Sequence, residues 1–367
     1  MRRSLIILLF FGFTSQLLYG QDEGIARTDT LGSGKKLQAV VVPIVFSTPE
    51  TGFGLGAGAQ LFFLRKSNIY NSRLSNVFTN VIFTVNKQFI LDIKPQIYFN
   101  KGDFFLDGAY KYKVYPNQFW GIGYDTPESN NEVYDMTSTE LRVALLKRLP
   151  PKLNFGFEFV YQNHEVTDTE EGGLLESGEI LGSERAIISG LGVIFNLDSR
   201  DQLEAPKSGY LVQMNARFSS EVWGATSSFN KYIADLRAYF PVSERGTFAA
   251  QIYNENSFGE VPFQGMSWYG GGDRARGYFK GRFIDNHMYV VQAEYRHQIA
   301  PRWSAAGFAL MGEVSSFPRD YLNDIKPSFG GGIRFKIIKN QNTLVRLDMA
   351  FGKDGSSGFY FGVNEAF

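Results

Sequence analysis

The sequence predicts an all-β protein, a transmembrane antiparallel β-barrel of about sixteen strands. Three observations carry that expectation. The 367 residues include 34 Phe, 19 Tyr and 39 Gly and no Leu-rich helical runs, which suits strands packed in a sheet with tight turns and aromatic girdles. Segments of about ten residues alternate greasy and polar positions with period two, as strands do that face lipid on one side and water on the other. The connections between these segments alternate short and long, as they do at the two rims of a bacterial barrel.

The chain opens with "MRRSLIILLFFGFTSQLLYGQ". Arg2 and Arg3 form a positive n-region, residues 5–13 are an apolar run too short to span a bilayer, and Gly20 is a small residue at a cleavage point. Residues 1–20 are therefore expected to be a signal peptide removed on export to the outer membrane of a Gram-negative cell. Residues 21–37 are a polar tail rich in Gly, Thr and charge, too short for a folded module, and 38–367 form one barrel domain.

The candidate strands run 38–47, 54–65, 72–86, 89–99, 104–116, 137–147, 153–165, 184–197, 208–219, 229–241, 247–258, 288–299, 303–314, 328–339, 344–352 and 358–367. The first contains Pro43, which cannot donate to a ladder. In the second, "GFGLGAG" (52–58) places glycines at every other position, so that bulky neighbours can pass on a twisted strand. The third puts Val77, Thr79, Val81 and Phe83 on one face; the fourth sets Ile90, Asp92, Lys94 and Gln96 against Leu91, Ile93, Pro95 and Ile97. The seventh sets Leu153, Phe155, Phe157 and Phe159 against Asn154, Gly156, Glu158 and Val160. The twelfth carries Gln292, Glu294, Arg296 and Gln298 opposite Val291, Ala293 and Tyr295. The last is weakened by Gly358 and Gly362 and aligns Phe359, Phe361, Val363 and Phe367 on one face, with Glu365 interrupting the apolar series. Turns such as "RLPPK" (148–152) and "PVSERG" (241–246) are tight, whereas 117–136, 166–183 and 259–287 are long. A soluble sandwich also alternates, but its strands are usually about 5–6 residues long, and its core would not bury unpaired Lys, Arg, Glu and Gln.

Several function classes fall away. Without cysteine there is no thiol chemistry and no cysteine metal site, and 37 basic against 37 acidic residues leave no field to draw nucleic acid. "GSGKK" (32–36) is not a phosphate loop, because Asp29 stands where a glycine is needed and no Ser or Thr follows the lysine. His164, His287 and His297 lack ligand spacing and read as solvent-facing or girdle residues, while "HEVTDTEEGGLLESGE" (164–179) reads as a solvated acidic outer loop. No nucleophile–base–acid arrangement stands out. An enzyme, a cofactor and a metal are not expected.

Three stretches carry a family resemblance: "NLDSRDQLEAPKSGYLV" (196–212), "GGGDRARGYFKGRFIDNHMYVVQAEYRHQI" (270–299) and "SGFYFGVNEAF" (357–367). They resemble BamA/TamA-type outer-membrane barrels, of the superfamily that includes barrel-assembly insertases and two-partner secretion pores. "VVPIVFSTPETGFGLGAG" (41–58) resembles that family's first hairpin. The resemblance implies that the long loop before the twelfth strand folds back into the lumen, held by Arg276, Gly277 and Tyr278. It implies that Arg276 pairs with inner-wall acids, for which Glu294 is the first candidate. A guanidinium in a narrow lumen needs such a partner. The family's aspartate on the next strand, within Phe-x-Asp-x-Gly, is replaced by Leu310, and Glu313 is the nearest substitute. The resemblance also implies that Phe367 is the signal read by the barrel-assembly machinery, and that the seam marked by Pro43, Gly358 and Gly362 opens sideways. Periplasmic substrate-gathering domains, usual in the family, are expected to be missing.

The expected function follows: a monomeric barrel among outer-membrane lipids that aids insertion or translocation of a protein or lipid substrate. The alternative is a passive or gated pore.

Overall fold

The computed structural model describes residues 37–48, 52–63, 75–336 and 344–367. The expected signal peptide, 1–20, and the tail 21–37, apart from Leu37, lie outside the described residues. Among the described residues no helix is long and apolar enough to cross a membrane, and the crossing elements are strands.

The strands, in chain order, are β1 (Leu37–Thr48), β2 (Gly52–Phe63), β3 (Ser75–Thr84), β4 (Phe89–Phe99), β5 (Phe104–Phe119), β6 (Glu132–Leu149), β7 (Leu153–Thr169), β8 (Arg185–Asp198), β9 (Gly209–Ser219), β10 (Phe229–Pro241), β11 (Gly246–Gly259), β12 (Ser267–Tyr269), β13 (Phe283–Asp285), β14 (His287–Ala300), β15 (Trp303–Ser315), β16 (Lys326–Lys336), β17 (Leu344–Gly352) and β18 (Ser357–Val363). All but β12 and β13 pair antiparallel with their neighbours in one 16-stranded sheet. β12 and β13 form a separate hairpin within the connection between β11 and β14. β1 lies beside β18, but among the described residues no backbone ladder joins them.

Period-two burial makes this sheet a barrel wall. Leu55, Phe83, Phe157, Ile252, Phe329 and Met349 point outward and are exposed, while their strand-mates Asn80, Glu158, Gln251, Ser328 and Asp348 point inward and are buried. The wall is uneven in height. β5, β6 and β7 have 16, 18 and 17 residues, whereas β17 and β18 have nine and seven. A tilted spanning strand needs about 9–11 residues, so the wall is lowest at β18.

Two expected limits change. β5, β6 and β7 run past their predicted ends, and the long connections shrink to 120–131 and 170–184. Around Gln118, Glu165 and Asp168 neither face needs to be greasy, so the alternation that marks a spanning strand is lost there. The last strand stops at Val363, because Asn364 takes a left-handed conformation with φ 63° and breaks the extended run. Residues beyond it turn into the barrel. Phe367 packs against Tyr239 and Ala249 on the inner wall instead of sharing the outward face of Phe359, and Glu365 is buried inside.

The short-turn end is covered from within. Glu365 N–H donates to Glu204 O at 3.2 Å, and Arg296 donates to Pro206 O at 3.4 Å and Phe367 O at 2.8 Å. The turn 199–208 and residues 364–367 thus meet beneath the lumen. An inner apolar cluster of Tyr98, Phe105, Ala144, Leu146 and Ile194 lines the neighbouring wall.

Candidate functional site

The connection between β11 and β14 does not project outward as a simple loop. Its base is the β12–β13 hairpin, packed through Trp268, Phe263 and Ile284 against Phe119, Tyr134 and Leu175. Arg282 fastens the base to the connection 120–131: it donates to Thr126 Oγ1 at 2.9 Å and Thr126 O at 2.8 Å and pairs with Glu128 at 3.0 Å. The tip, residues 270–282, descends into the lumen and places Arg276 on the inner wall of β14–β17.

Arg276 is fully buried, and its guanidinium forks between two carboxylates. Nη2 donates to Glu294 Oε2 at 2.8 Å and Nη1 to Asp348 Oδ2 at 2.7 Å. Its plane lies over Phe308, 3.4 Å from the ring centroid. Charge-assisted forks of this kind fix position as well as adding energy. The carboxylates in turn hold further cations. Glu294 accepts from Arg296 Nε at 2.8 Å and from Arg334 Nη2 at 3.3 Å. Asp348 accepts from Arg334 Nη1 at 2.5 Å and lies 3.6 Å from Arg346 Nε. Glu365 accepts from Arg334 Nε at 3.0 Å, and Asp273, half-exposed on the loop itself, lies 3.5 Å from Arg346. Four guanidinium groups thus meet four carboxylates, and the cluster carries no net charge.

The residues around Arg276 close the grip. Gly277 adopts φ 106°, and a Cβ there would lie 2.5 Å from Ser328 Oγ, so both conformation and space require glycine. Gly277 N–H donates to the Tyr360 hydroxyl at 2.9 Å, and that hydroxyl donates to Tyr278 O at 3.2 Å. Tyr278 Oη donates to Pro327 O and accepts from Lys353 N–H, both at 2.8 Å. Its ring packs with those of Tyr269 and Phe283. The plug is therefore bonded to β14, β16, β17 and β18 together.

The site residues expected from sequence fall into different places. Arg276, Gly277, Tyr278 and Glu294 come together. Glu313 does not join them: it accepts from Leu322 N–H at 2.9 Å and Asp324 N–H at 3.2 Å, bracing the connection 316–325. The alternation of β15 turns it away from the latch. Leu310, at the family's aspartate position, sits in an apolar cluster with Tyr269, Tyr278 and Val290. The second carboxylate comes from Asp348, two strands further on, which the sequence reading missed together with Arg334, Arg346 and Tyr360. Pro43 pairs in register with Ala57, away from the latch, whereas Gly358 pairs with Ala350 beside the Tyr360 side chain and Gly362 pairs with Arg346, so the two glycines of β18 border the latch. His164 and His287 are buried, not solvent-facing: His164 Nδ1 meets Ser138 Oγ at 2.8 Å and His287 Nδ1 meets Asn256 Oδ1 at 3.1 Å.

Comparison with known proteins agrees with this architecture. A family model described as the Omp85 superfamily domain matches residues 55–367. No curated protein matches the chain. Among solved structures, BamA from Haemophilus ducreyi lacking POTRA domains 1–3 is similar with TM-score 0.63 at 13% identity, over 89% of this chain and 70% of that one. CdiB from Acinetobacter baumannii gives 0.58 at 13% identity, over 90% of this chain and 60% of that one. CdiB from Escherichia coli gives 0.60 at 11% identity, over 90% and 63%. The chain spans less than two thirds of either CdiB. With a latched plug inside a sixteen-stranded wall and the family match across most of its length, the chain belongs to the Omp85 superfamily of outer-membrane barrels.

Proposed function

We propose that this barrel aids insertion or translocation of a protein or lipid substrate at the outer membrane, with the β1–β18 boundary as its gate and the tip 270–282 as its plug. The observation that carries this reading is the boundary itself. β18 has seven residues and, among the described residues, no ladder to β1, and an unpaired strand edge is a template for another strand. Tyr360 on β18 also holds Gly277 and Tyr278, so movement of the gate strand and release of the plug share hydrogen bonds. The similarity to BamA and CdiB supports the reading, because Omp85 superfamily barrels take part in protein assembly and secretion. Photoreactive residues placed in β1 and β18 in living cells test it. Capture of nascent barrel proteins or other polypeptides supports assembly or translocation, and capture of lipid alone counts against a protein substrate.

A gated pore is the second reading, favoured by the charged inner wall of β4–β9. Steady conductance in planar bilayers that does not depend on plug movement would favour it over the first.

A further inference from the structure

Across the lumen from the latch, the inner wall of β4–β9 carries a second charged surface that takes no part in holding the plug. Lys113 Nζ pairs with Glu140 at 2.7 Å, Arg142 contacts Asp107 and lies 3.7 Å from Glu158, and Arg217 Nε pairs with Glu158 at 2.7 Å. The last pair reaches from β9 to β7 across Gly192, where a Cβ would stand only 3.0 Å from the Glu158 side chain. Lys94 and Lys111 share Asp92, at 4.0 and 3.7 Å. The band therefore sets five cations against four carboxylates.

Four of its cationic groups reach water, the side chains of Lys94, Lys111, Lys113 and Arg217 being 24, 21, 28 and 27% exposed. Among the acids Glu140 does so as well, at 23%, while Asp107, Asp92 and Glu158 are 13, 9 and 0% exposed. The two lysines on Asp92 stand beyond hydrogen-bond distance. That carboxylate takes its bond from Asn80 Nδ2 at 3.2 Å, and its Oδ1 has no hydrogen-bond partner among the described residues. The ammonium donors of Lys94 and Lys111 thus remain available to a ligand in the lumen. From the plug, Arg274 adds another exposed cation. It lies over Tyr253 on the β11 inner face at 3.8 Å, with no carboxylate within ion-pair distance among the described residues, and the nearby Glu255, Asp235 and Asp273 offset part of its charge. Cationic groups converging in a space with low-dielectric walls concentrate counter-ions, and lumen-facing Lys and Arg favour anions and phosphate.

We propose that this wall binds a soluble multivalent oxyanion of the phosphate class, held by Lys94, Lys111 and Lys113, with Arg274 strengthening the field. Three ammonium groups on neighbouring strands offer donors to several oxygens at once, which one chloride could not use. The wall faces the aqueous lumen and not the bilayer, so the ligand is a solute and not a lipid headgroup.

Calorimetric titration of the full-length folded barrel in detergent with inorganic tripolyphosphate tests this. Saturable binding is expected for the unaltered protein, weakened about tenfold or more by Lys111→Gln/Lys113→Gln, and unchanged by Lys207→Gln on the outer surface of the turn 199–208. Arg274→Gln should weaken binding to a smaller extent. Heat-dependent gel mobility reports whether each variant is a folded barrel. If the double variant does not fold, Lys94→Gln replaces it, with weakened binding again expected. No saturable binding by the unaltered protein, equal binding by the folded lumen variants, or an equal loss with Lys207→Gln overturns the proposal.

Discussion

Removing the Arg276 side chain is the most informative single perturbation of the plug. Arg276→Ala deletes both ion pairs, at 2.8 Å to Glu294 and 2.7 Å to Asp348, and the stack on Phe308. Neither carboxylate is stranded. Glu294 keeps Arg296 and Arg334, and Asp348 keeps Arg334 and Arg346. Arg296, Arg334 and Arg346 then face Glu294, Asp348 and Glu365, an even match before Asp273 is considered. The cost should therefore sit at the low end for a broken buried pair, about 3 kcal/mol, which shifts the ratio of docked to released plug roughly 150-fold. Proteolysis of a transiently released segment follows the released population when opening and closing outpace cleavage. Cleavage within 270–282 by a protease of broad specificity, mapped by mass spectrometry, should accelerate by about that factor while cuts elsewhere keep their rates. Arg276→Lys should fall between, because an ammonium keeps the charge but cannot fork between two carboxylates. Unchanged cleavage in Arg276→Ala would refute the idea that this latch holds the plug.

Other substitutions separate the parts of the site. Asp348→Asn should cost more than Arg276→Ala, about 4–5 kcal/mol, because it leaves four guanidinium groups with two buried carboxylates; faster plug cleavage and a lower unfolding midpoint in heat-dependent gel mobility would report it. Gly277→Ala should release the plug, since φ 106° and the Ser328 hydroxyl both resist a Cβ, and the same cleavage assay reads the effect. Tyr360→Phe removes the hydroxyl between Gly277 N–H and Tyr278 O, a loss of about 1–3 kcal/mol, visible as faster hydrogen exchange at the Gly277 amide. Glu313→Gln should speed exchange at the Leu322 and Asp324 amides and leave cleavage within 270–282 unchanged, because Glu313 braces a different connection.

Period two placed the spanning strands because lipid outside and water inside leave few other patterns for a barrel wall. It could not say which inward residues meet across the lumen. Asp348 shares a face of β17 with Arg346 and opposes Leu347, Met349 and Phe351, and that was its available signal: two charges at inward positions require counter-charges. The identity of those counter-charges depends on register and stagger summed over β14 to β18, which a single strand does not encode. Glu294 was legible because only one acid lies on the inward face of β14 beside the arginine-bearing loop. Glu365 and Phe367 were misplaced for a local reason, since alternation was carried through Asn364, whose left-handed turn sends both inward. The latch thus uses an acid from β17 and an aromatic platform, Phe308, on the strand where the family resemblance pointed to aspartate.

The measurement that bears most directly on the gate is photocrosslinking from β1 in cells, with and without a disulfide tying β1 to β18. The chain has no cysteine, so introduced pairs are unambiguous. Polypeptide should be captured when the boundary is free, lost when it is tied, and recovered on reduction. Equal capture with the boundary tied, or no polypeptide in either state, would contradict a gate at this edge.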